Sequence, residues 1–428
     1  MKKIRVDHLS RVEGHGAITV EIEGKKVKDV KFEILEGPRL FETLTIGKLP
    51  EENVSVVPRI CAICTLSHKN ASLRGVEKCL GIEVPQKVAL MRELMMLGEN
   101  VESNALHVYL LALPDILGYP NAIAMVDKYA EAVTEGLTLK KFGNRIMEIT
   151  AARATHGENP IIGGFGRYPS KEDLLELKDT AIKLLPAANK VVELLGPMDF
   201  KYSEDEKTTF ACVNPPKNEF GYVADSIILS DGKVFDAEEY TKVTNEKIVP
   251  HSYAKRSSYK GAPYTVGAIA RMNNLGDRLK GQAGKYYKKF SNDRWLTNPL
   301  YNNVAQAIEL VYDLELLPGL VDKILKLKDP EIVKPNRQTG KGTGAVEAPR
   351  GTLYHSYEIK DGRMSKVDII TPTAQNLDDS ERYLRKTAQK MLEKGKKDDE
   401  IKRHMEIIAR AYDPCISCSA HLVKLVRR

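Results

Sequence analysis

A chain of 428 residues with 42% hydrophobic and 29% charged side chains can bury a large core, which excludes a disordered or fibrous protein. Its net charge of +7 is the small difference between 65 basic and 58 acidic residues, spread without a basic run or interleaved aromatics, so nucleic acid is a poor partner. No stretch approaches the roughly 18 uninterrupted apolar residues of a membrane span, and even VYLLALPDILGYP (108–120) is broken by Pro114 and Asp115.

The first 36 residues alternate polar and apolar positions, notably in AITVEIEGKKVKDVKFEIL (17–35), where EGKK interrupts two period-2 runs as a hairpin turn would. Residues 1–40 therefore read as β-rich. From Pro85 onward apolar residues recur at helical spacing, predicting helices near 86–112, 121–150, 171–196, 264–290, 301–327 and 378–411, so that 85–330 is mostly helical. Asp-Gly turns flanked by strand-like residues predict hairpins within 219–236 and 351–372. PNRQTGKGTGAVEAPRG (335–351) reads as the one Gly-rich loop. A phosphate loop needs a strand before it and a helix after it, and here a hairpin follows, so nucleotide binding is not read there. The expected fold class is mainly α (α+β), a bundle of long helices with peripheral β-hairpins, in a single domain spanning 1–428.

The chemistry concentrates in RICAICTLSH (59–68) and DPCISCSAH (413–421), each a Cys-x-x-Cys with a His close behind, about 350 residues apart. One such pair alone could be a zinc knuckle, a thioredoxin-like dithiol or two unrelated buried thiols. Structural zinc sites draw on nearby segments, and a redox dithiol needs only one pair. Bringing both pairs to one point instead yields four thiolates, a ligand set for a thiophilic transition metal. Four of the six cysteines in x2-spaced pairs suit a reducing compartment, and no apolar run follows the basic residues of MKKIRVDHLSRVEG, so a cytoplasmic location is expected. Cys79 and Cys212 fit no motif and read as small buried apolar residues. Abundant Lys and Glu with only six Gln is a bias found in hyperthermophile proteins.

Together with SRVEGHG (10–16) and EAPRG (347–351), these two motifs make the chain, from Arg11 to His421, resemble the large, catalytic subunit of nickel–iron hydrogenases. The resemblance implies that Cys61, Cys64, Cys415 and Cys418 hold nickel, with Cys64 and Cys418 bridging to an iron that carries CO and cyanide. Soft sulfur donors suit the low oxidation states such a nickel visits. It further implies that Cys415 is the first base, that Glu13 passes protons onward, and that Arg350 stands over the metals with Pro349 beside the diatomic ligands. His68, four residues after Cys64, is expected to hydrogen-bond the sulfur of that cysteine. Glu42, the backbone carbonyl of Ile369 and His421 are expected to bind a magnesium-like ion, and Asp413 to support the site by hydrogen bonding.

Three features depart from the family pattern. Ala62 stands where Gly commonly follows the first cysteine, Ser103 replaces an aspartate while the histidine beyond it remains as His107, and LVKLVRR continues past the histidine at which family precursors are cut. That last feature implies either a removable extension or a branch that keeps it. Nothing in the chain supplies iron–sulfur clusters or a flavin site, so the resemblance implies partners that do: a small iron–sulfur subunit, with further iron–sulfur and FAD- and NAD(P)-binding subunits. The compact length, RICAIC and Ser103 are most similar to the cytoplasmic, NADP-linked sulfhydrogenase alpha subunits of heat-loving archaea, which can also pass electrons to sulfur or polysulfide. Deazaflavin- or viologen-linked hydrogenases, and a non-catalytic, zinc-bound scaffold related to complex I, are the competing readings.

Overall fold

Residues 2–420 are described by a computed structural model. Strands β1 (Lys2–Val6), β2 (Gly16–Glu23) and β3 (Lys26–Ile34) form an antiparallel meander. Their alternation turns Ile18, Val20, Ile22, Val30 and Phe32 inward, as the period-2 pattern predicts. Short helices α1 (Phe41–Thr45) and α2 (Pro50–Val56) lead through a tight turn at Val57–Ile60 into α3 (Thr65–Leu80).

The long helices follow. α4 (Gln86–Ala105) runs through one wide turn, Leu106–Ala112, into α5 (Leu113–Leu117), so the predicted helix over 86–112 is continuous but locally underwound. α6 (Val126–Ala151) packs on α4. The two-stranded ribbon of β4 (Pro160–Ile161) and β5 (Gly164–Phe165) precedes α7 (Lys171–Leu195), which starts at a Ser170–Asp173 capping box. A mixed sheet follows, of β6 (Thr209–Val213), β7 (Ser226–Leu229), β8 (Val234–Asp236) and β9 (Tyr264–Thr265), ordered β8-β7-β6-β9. The hairpin predicted in 219–236 is its β7–β8 portion.

The predicted helix over 264–290 is instead β9 followed by two helices, α8 (Ala268–Leu275) and α9 (Gly281–Phe290), because the chain turns at Gly276–Arg278 and Gly281 takes a positive φ of 62°. α10 (Asn302–Leu325) is almost wholly buried between α4 and α7. The next sheet joins β10 (Gly340–Ala348), β11 (Gly351–Lys360) and β12 (Arg363–Ile370), and then come α11 (Pro372–Glu393), α12 (Asp398–Ala411) and the single turn α13 (Ile416–Ser419). The helix expected over 378–411 thus begins earlier and breaks at Gly395, whose φ is 68°.

The segment read as a Gly-rich loop is strand β10. Gly340, Gly342 and Gly344 recur with period 2 on the face that meets α3, and a Cβ on Gly344 would stand 2.0 Å from the Ala71 carbonyl. Those glycines lay a strand flat against a helix, and this seats α3 on the β10–β12 sheet. Among the described residues no helix is long and apolar enough to cross a membrane.

Candidate metal centre

The tight turn at Val57–Ile60 ends on Cys61 in extended backbone, and Cys64 opens α3 at its N-cap position. Cys415 and Cys418 sit at the cap and inside α13, which a backbone bridge from Glu13 to Cys415 and a bond from Ile416 N to the Glu13 carbonyl (2.9 Å) tie to the SRVEG segment. The four sulfurs therefore converge from opposite ends of the chain, all within 4.8 Å of one another and all buried. Cys61 and Cys415 are 3.2 Å apart, Cys64 and Cys418 3.1 Å, and Cys415 and Cys418 3.0 Å. These separations exceed the roughly 2.05 Å of a disulfide.

Burial and hydrogen bonding to the other three sulfurs push the Cys418 thiol well above the usual range, whereas Cys61 is drawn well below it because its three neighbours donate to it against its burial. Four ionised thiols in one dry cage repel one another, and a soft cation removes that cost. The set fits a thiophilic transition metal, and nearby the Nη1 of buried Arg350 has no hydrogen-bond partner among the described residues.

Around the cage, Glu13 Oε2 lies 3.3 Å from Cys415 Sγ, and the carboxyl accepts from the Ser417 amide (3.0 Å) and hydroxyl. Burial, with Cys415 adding to it, pushes Glu13 up to about 7. Arg350 occupies the turn between β10 and β11 and donates to Asp413 through Nε to the carbonyl (2.8 Å) and Nη2 to Oδ1 (3.0 Å). Asp413, with Cys415, Cys64 and Cys61 nearby, holds the buried guanidinium charged against its desolvation. Asp413 Oδ2 accepts from Gln306 (3.0 Å), which meets His107 at 2.5 Å, while the hydroxyl of buried Ser103 has no partner among the described residues.

His68 lies on α3 as expected, but its Nε2 approaches Cys418 (3.7 Å), the far pair, while Nδ1 meets His355 (2.9 Å). The helix places the ring toward β11 rather than back along its own turn. At Glu42, the carboxyl accepts from the Ile369 amide (2.8 Å) and burial pushes it up to about 7. The expected ion contact there uses the Ile369 carbonyl, and the third ligand, His421, lies outside the described residues.

Several supporting residues escaped the reading of the sequence. Arg39 Nη2 donates to the carbonyls of Ile60 (2.6 Å) and Ser417 (2.8 Å), tying the two cysteine segments together. Glu99 accepts from the amides of Leu66 (2.6 Å) and Ser67 (2.8 Å), serving as the cap that Cys64 cannot supply to α3. Arg271 on α8 binds Glu309 and Glu347 and holds the carbonyls of Ala348 (3.2 Å) and Pro349 (3.0 Å), which sets the turn that delivers Arg350. Among these, Arg271 and Glu309 carry a legible signal, since each is a charge within a largely apolar helical segment.

The family pattern described as nickel-dependent hydrogenase matches residues 39–155 and 229–421, well over half of the chain, and a pattern described as HoxL-like matches 3–36. The chain belongs to the nickel-dependent hydrogenases. It is 42% identical to the alpha subunit of sulfhydrogenase 1 of Pyrococcus furiosus, across 99% of this chain and 98% of that protein, and 41% identical to the alpha subunit of sulfhydrogenase 2 of the same organism, across 99% and 100%. Identity to an F420-non-reducing hydrogenase protein of Methanothermobacter marburgensis is 30%, across 99% and 95%. Among solved structures, an NAD+-reducing [NiFe]-hydrogenase in the H2-reduced state superposes with a TM-score of 0.90 at 26% identity, covering 98% of this chain and 100% of that one. This protein is accordingly the catalytic large subunit of a nickel–iron hydrogenase, with the four-cysteine cage where its metal site is expected.

Proposed function

We propose that this large subunit splits and forms dihydrogen reversibly, and that partner subunits exchange its electrons with NADP(H) and with sulfur or polysulfide. The observation that carries the acceptor class is the end-to-end match to two sulfhydrogenase alpha subunits, well above the 30% identity to the F420-non-reducing protein. The likeness to the NAD+-reducing enzyme supports a nicotinamide acceptor in the same direction. Iron–sulfur clusters and FAD belong to the proposed partners, the small and flavin-binding subunits.

Cys61, Cys64, Cys415 and Cys418 are proposed to hold nickel, with Cys64 and Cys418 shared with an iron bearing CO and cyanide. Such a metal pair polarises dihydrogen, a very weak acid, so that a nearby base can take its proton. In this chain that base is the sulfur of Cys415, and Glu13 Oε2 at 3.3 Å receives the proton next. A carboxyl pushed up to about 7 can both accept and release it near neutrality. Arg350 supplies a fixed cation in a dry site, where charge is strongly felt, and Pro349 shields the same face. Glu42, the Ile369 carbonyl and His421 are proposed to hold a magnesium-like ion joining the C-terminal segment to β12.

Metal analysis of the matured complex tests the centre: nickel and iron in equal amounts support it, and zinc without nickel would sink it in favour of a scaffold. Infrared bands from metal-bound CO and cyanide should accompany the nickel. Hydrogen uptake offered NADP, NAD, viologen and polysulfide in turn tests the acceptor, and turnover with a deazaflavin alone would overturn the NADP assignment. Glu13→Gln should abolish H2/D+ exchange while leaving the metals in place. C-terminal mass spectrometry of active enzyme decides whether LVKLVRR is removed.

A further inference from the structure

Glu13 and Cys415 meet because two short segments lie side by side, SRVEG and the run into α13, and each bends in the same way to get there. Arg11, two residues before Glu13, has a φ of 59°, and Asp413, two residues before Cys415, has a φ of 48°. Left-handed backbone is costly for a residue that carries a side chain, so each bend needs an anchor. Asp413 has one in Arg350. Arg11 has one on α5, where its Nη2 donates to Asp115 Oδ1 (2.6 Å), and its Nη1 donates to the nearby Leu111 carbonyl (2.7 Å).

Asp115 also holds the other segment. Arg410, at the end of α12 and five residues before Cys415, donates from Nε to Asp115 Oδ2 (2.6 Å) and from Nη2 to Oδ1 (3.0 Å). That grip leaves Nη1 to reach back to the carbonyl of Ser10 (3.1 Å), the residue before Arg11. Asp115 and Arg410 are buried and Arg11 is largely so, and charge-assisted bonds in a dry place hold their geometry firmly. One carboxylate thus pins both flanks of the Glu13–Cys415 bridge. The Cys415 flank has anchors of its own, since its amide donates to Thr373 Oγ1 (2.9 Å) and Arg39 holds the Ser417 carbonyl (2.8 Å). Arg410 likewise has a second acid, Glu406, 3.4 Å away on its own helix. The Glu13 flank leans on Asp115, which among the described residues is the one carboxylate that Arg11 pairs with.

Resting on Cys415 as the first base and Glu13 as its proton acceptor, we propose that Asp115 is a positioning residue for proton transfer, clipping Arg11 and Arg410 together so that Glu13 Oε2 is kept 3.3 Å from the Cys415 sulfur. A proton is handed over at hydrogen-bond distance, so a clip that sets this separation sets the rate. An ion cluster that only braced the fold would stabilise the chain without bearing on that distance.

Asp115→Asn and the milder Arg11→Met, which leaves the Asp115–Arg410 pair intact, test the clip in the matured complex. The Ile416 and Ser417 amides report on the bridge, because both donate to Glu13, at 2.9 and 3.0 Å. Amide hydrogen exchange read residue by residue should speed up at both in Asp115→Asn, and less so in Arg11→Met, while the Cys415 amide, held by Thr373, keeps its wild-type rate. H2/D+ exchange per nickel should fall by about 10-fold or more in Asp115→Asn. The solvent isotope effect on hydrogen uptake should rise as proton transfer becomes the slow step, and the CO and cyanide bands should not move. Arg11→Met carries the test if Asp115→Asn does not fold. Wild-type amide exchange at Ile416 and Ser417 in both variants, or a wild-type H2/D+ rate per nickel in both, would overturn the clip, as would amide exchange raised evenly along the whole chain. Retained H2/D+ exchange in Glu13→Gln would instead overturn the reading of Glu13, and the positioning role of Asp115 with it.

Discussion

Replacing Arg271 by Met keeps most of the side-chain volume and removes the charge from the best-connected buried ion cluster beside the site. Arg271, Glu309 and Glu347 have fully buried side chains. The guanidinium grips Glu309 through two bonds (2.5 and 2.8 Å), Glu347 through one (2.7 Å), and two carbonyls of the β10–β11 turn. Taking one partner out of a buried pair costs about 3–5 kcal/mol, since the desolvated charge left behind has no counterpart. Here two carboxylates are left, against a total stability on the order of 5–15 kcal/mol. Burial already raises the Glu347 carboxyl and Arg271 restrains that rise, so in Arg271→Met it rises further. A carboxyl raised in the folded state contributes stability that is present at acid pH and lost as pH climbs, so the defect should be worse at pH 8 than at pH 5. Denaturant unfolding of the metal-free chain, followed by circular dichroism, measures the loss. The decisive comparison is Arg271→Met/Glu347→Gln, which removes an orphaned charge and should recover part of the loss, a coupling of about 0.5–3 kcal/mol. If the double variant is simply as unstable as the two single losses added, the ion-cluster argument is wrong.

Other outcomes follow from single contacts. Glu99 is pushed up to about 8 by its burial, so the fold binds a proton that the unfolded chain releases above about 4.5. Wild-type stability should therefore fall as pH rises from about 4.5 to 8, and Glu99→Gln, titrated by thermal unfolding, should flatten that slope. Gly344→Ala forces a Cβ to 2.0 Å from the Ala71 carbonyl and should cost about 1–3 kcal/mol or more, whereas Gly319→Ala, on α10 with nothing within 4 Å, should be neutral or stabilising; equal melting temperatures would contradict the packing of β10 on α3. Arg39→Ala unties the carbonyls of Ile60 and Ser417 and should weaken nickel retention by about 10-fold in a chelator competition.

The local pattern was enough for the meander of 17–35, the helices over 86–112, 121–150, 171–196 and 301–327, and the hairpin in 351–372, because apolar periodicity and Asp-Gly turns act over a few residues. It was also enough to nominate the cysteines, since two Cys-x-x-Cys pairs at opposite ends of a chain have few bland explanations. It misread 335–351, where Gly340, Gly342 and Gly344 look like loop residues until α3 lies across them. A strand stripped of side chains on one face has no hydrophobic alternation to betray it.

Residue type and spacing alone determined which atoms could bind a soft metal in this protein, because thiol chemistry is a property of the side chain itself. Tertiary structure decided what each of those atoms faces. Glu13 reaches Cys415 because a strand-like bridge pairs their backbones, and His68 turns to Cys418 rather than to its neighbour Cys64 because α3 is pressed onto β11. Arg39 meets Ser417 across 378 residues, His355 meets His68 across 287 and Arg271 meets Pro349 across 78. Hydrogen-bond partners across such distances are set by packing, which no short window of sequence contains.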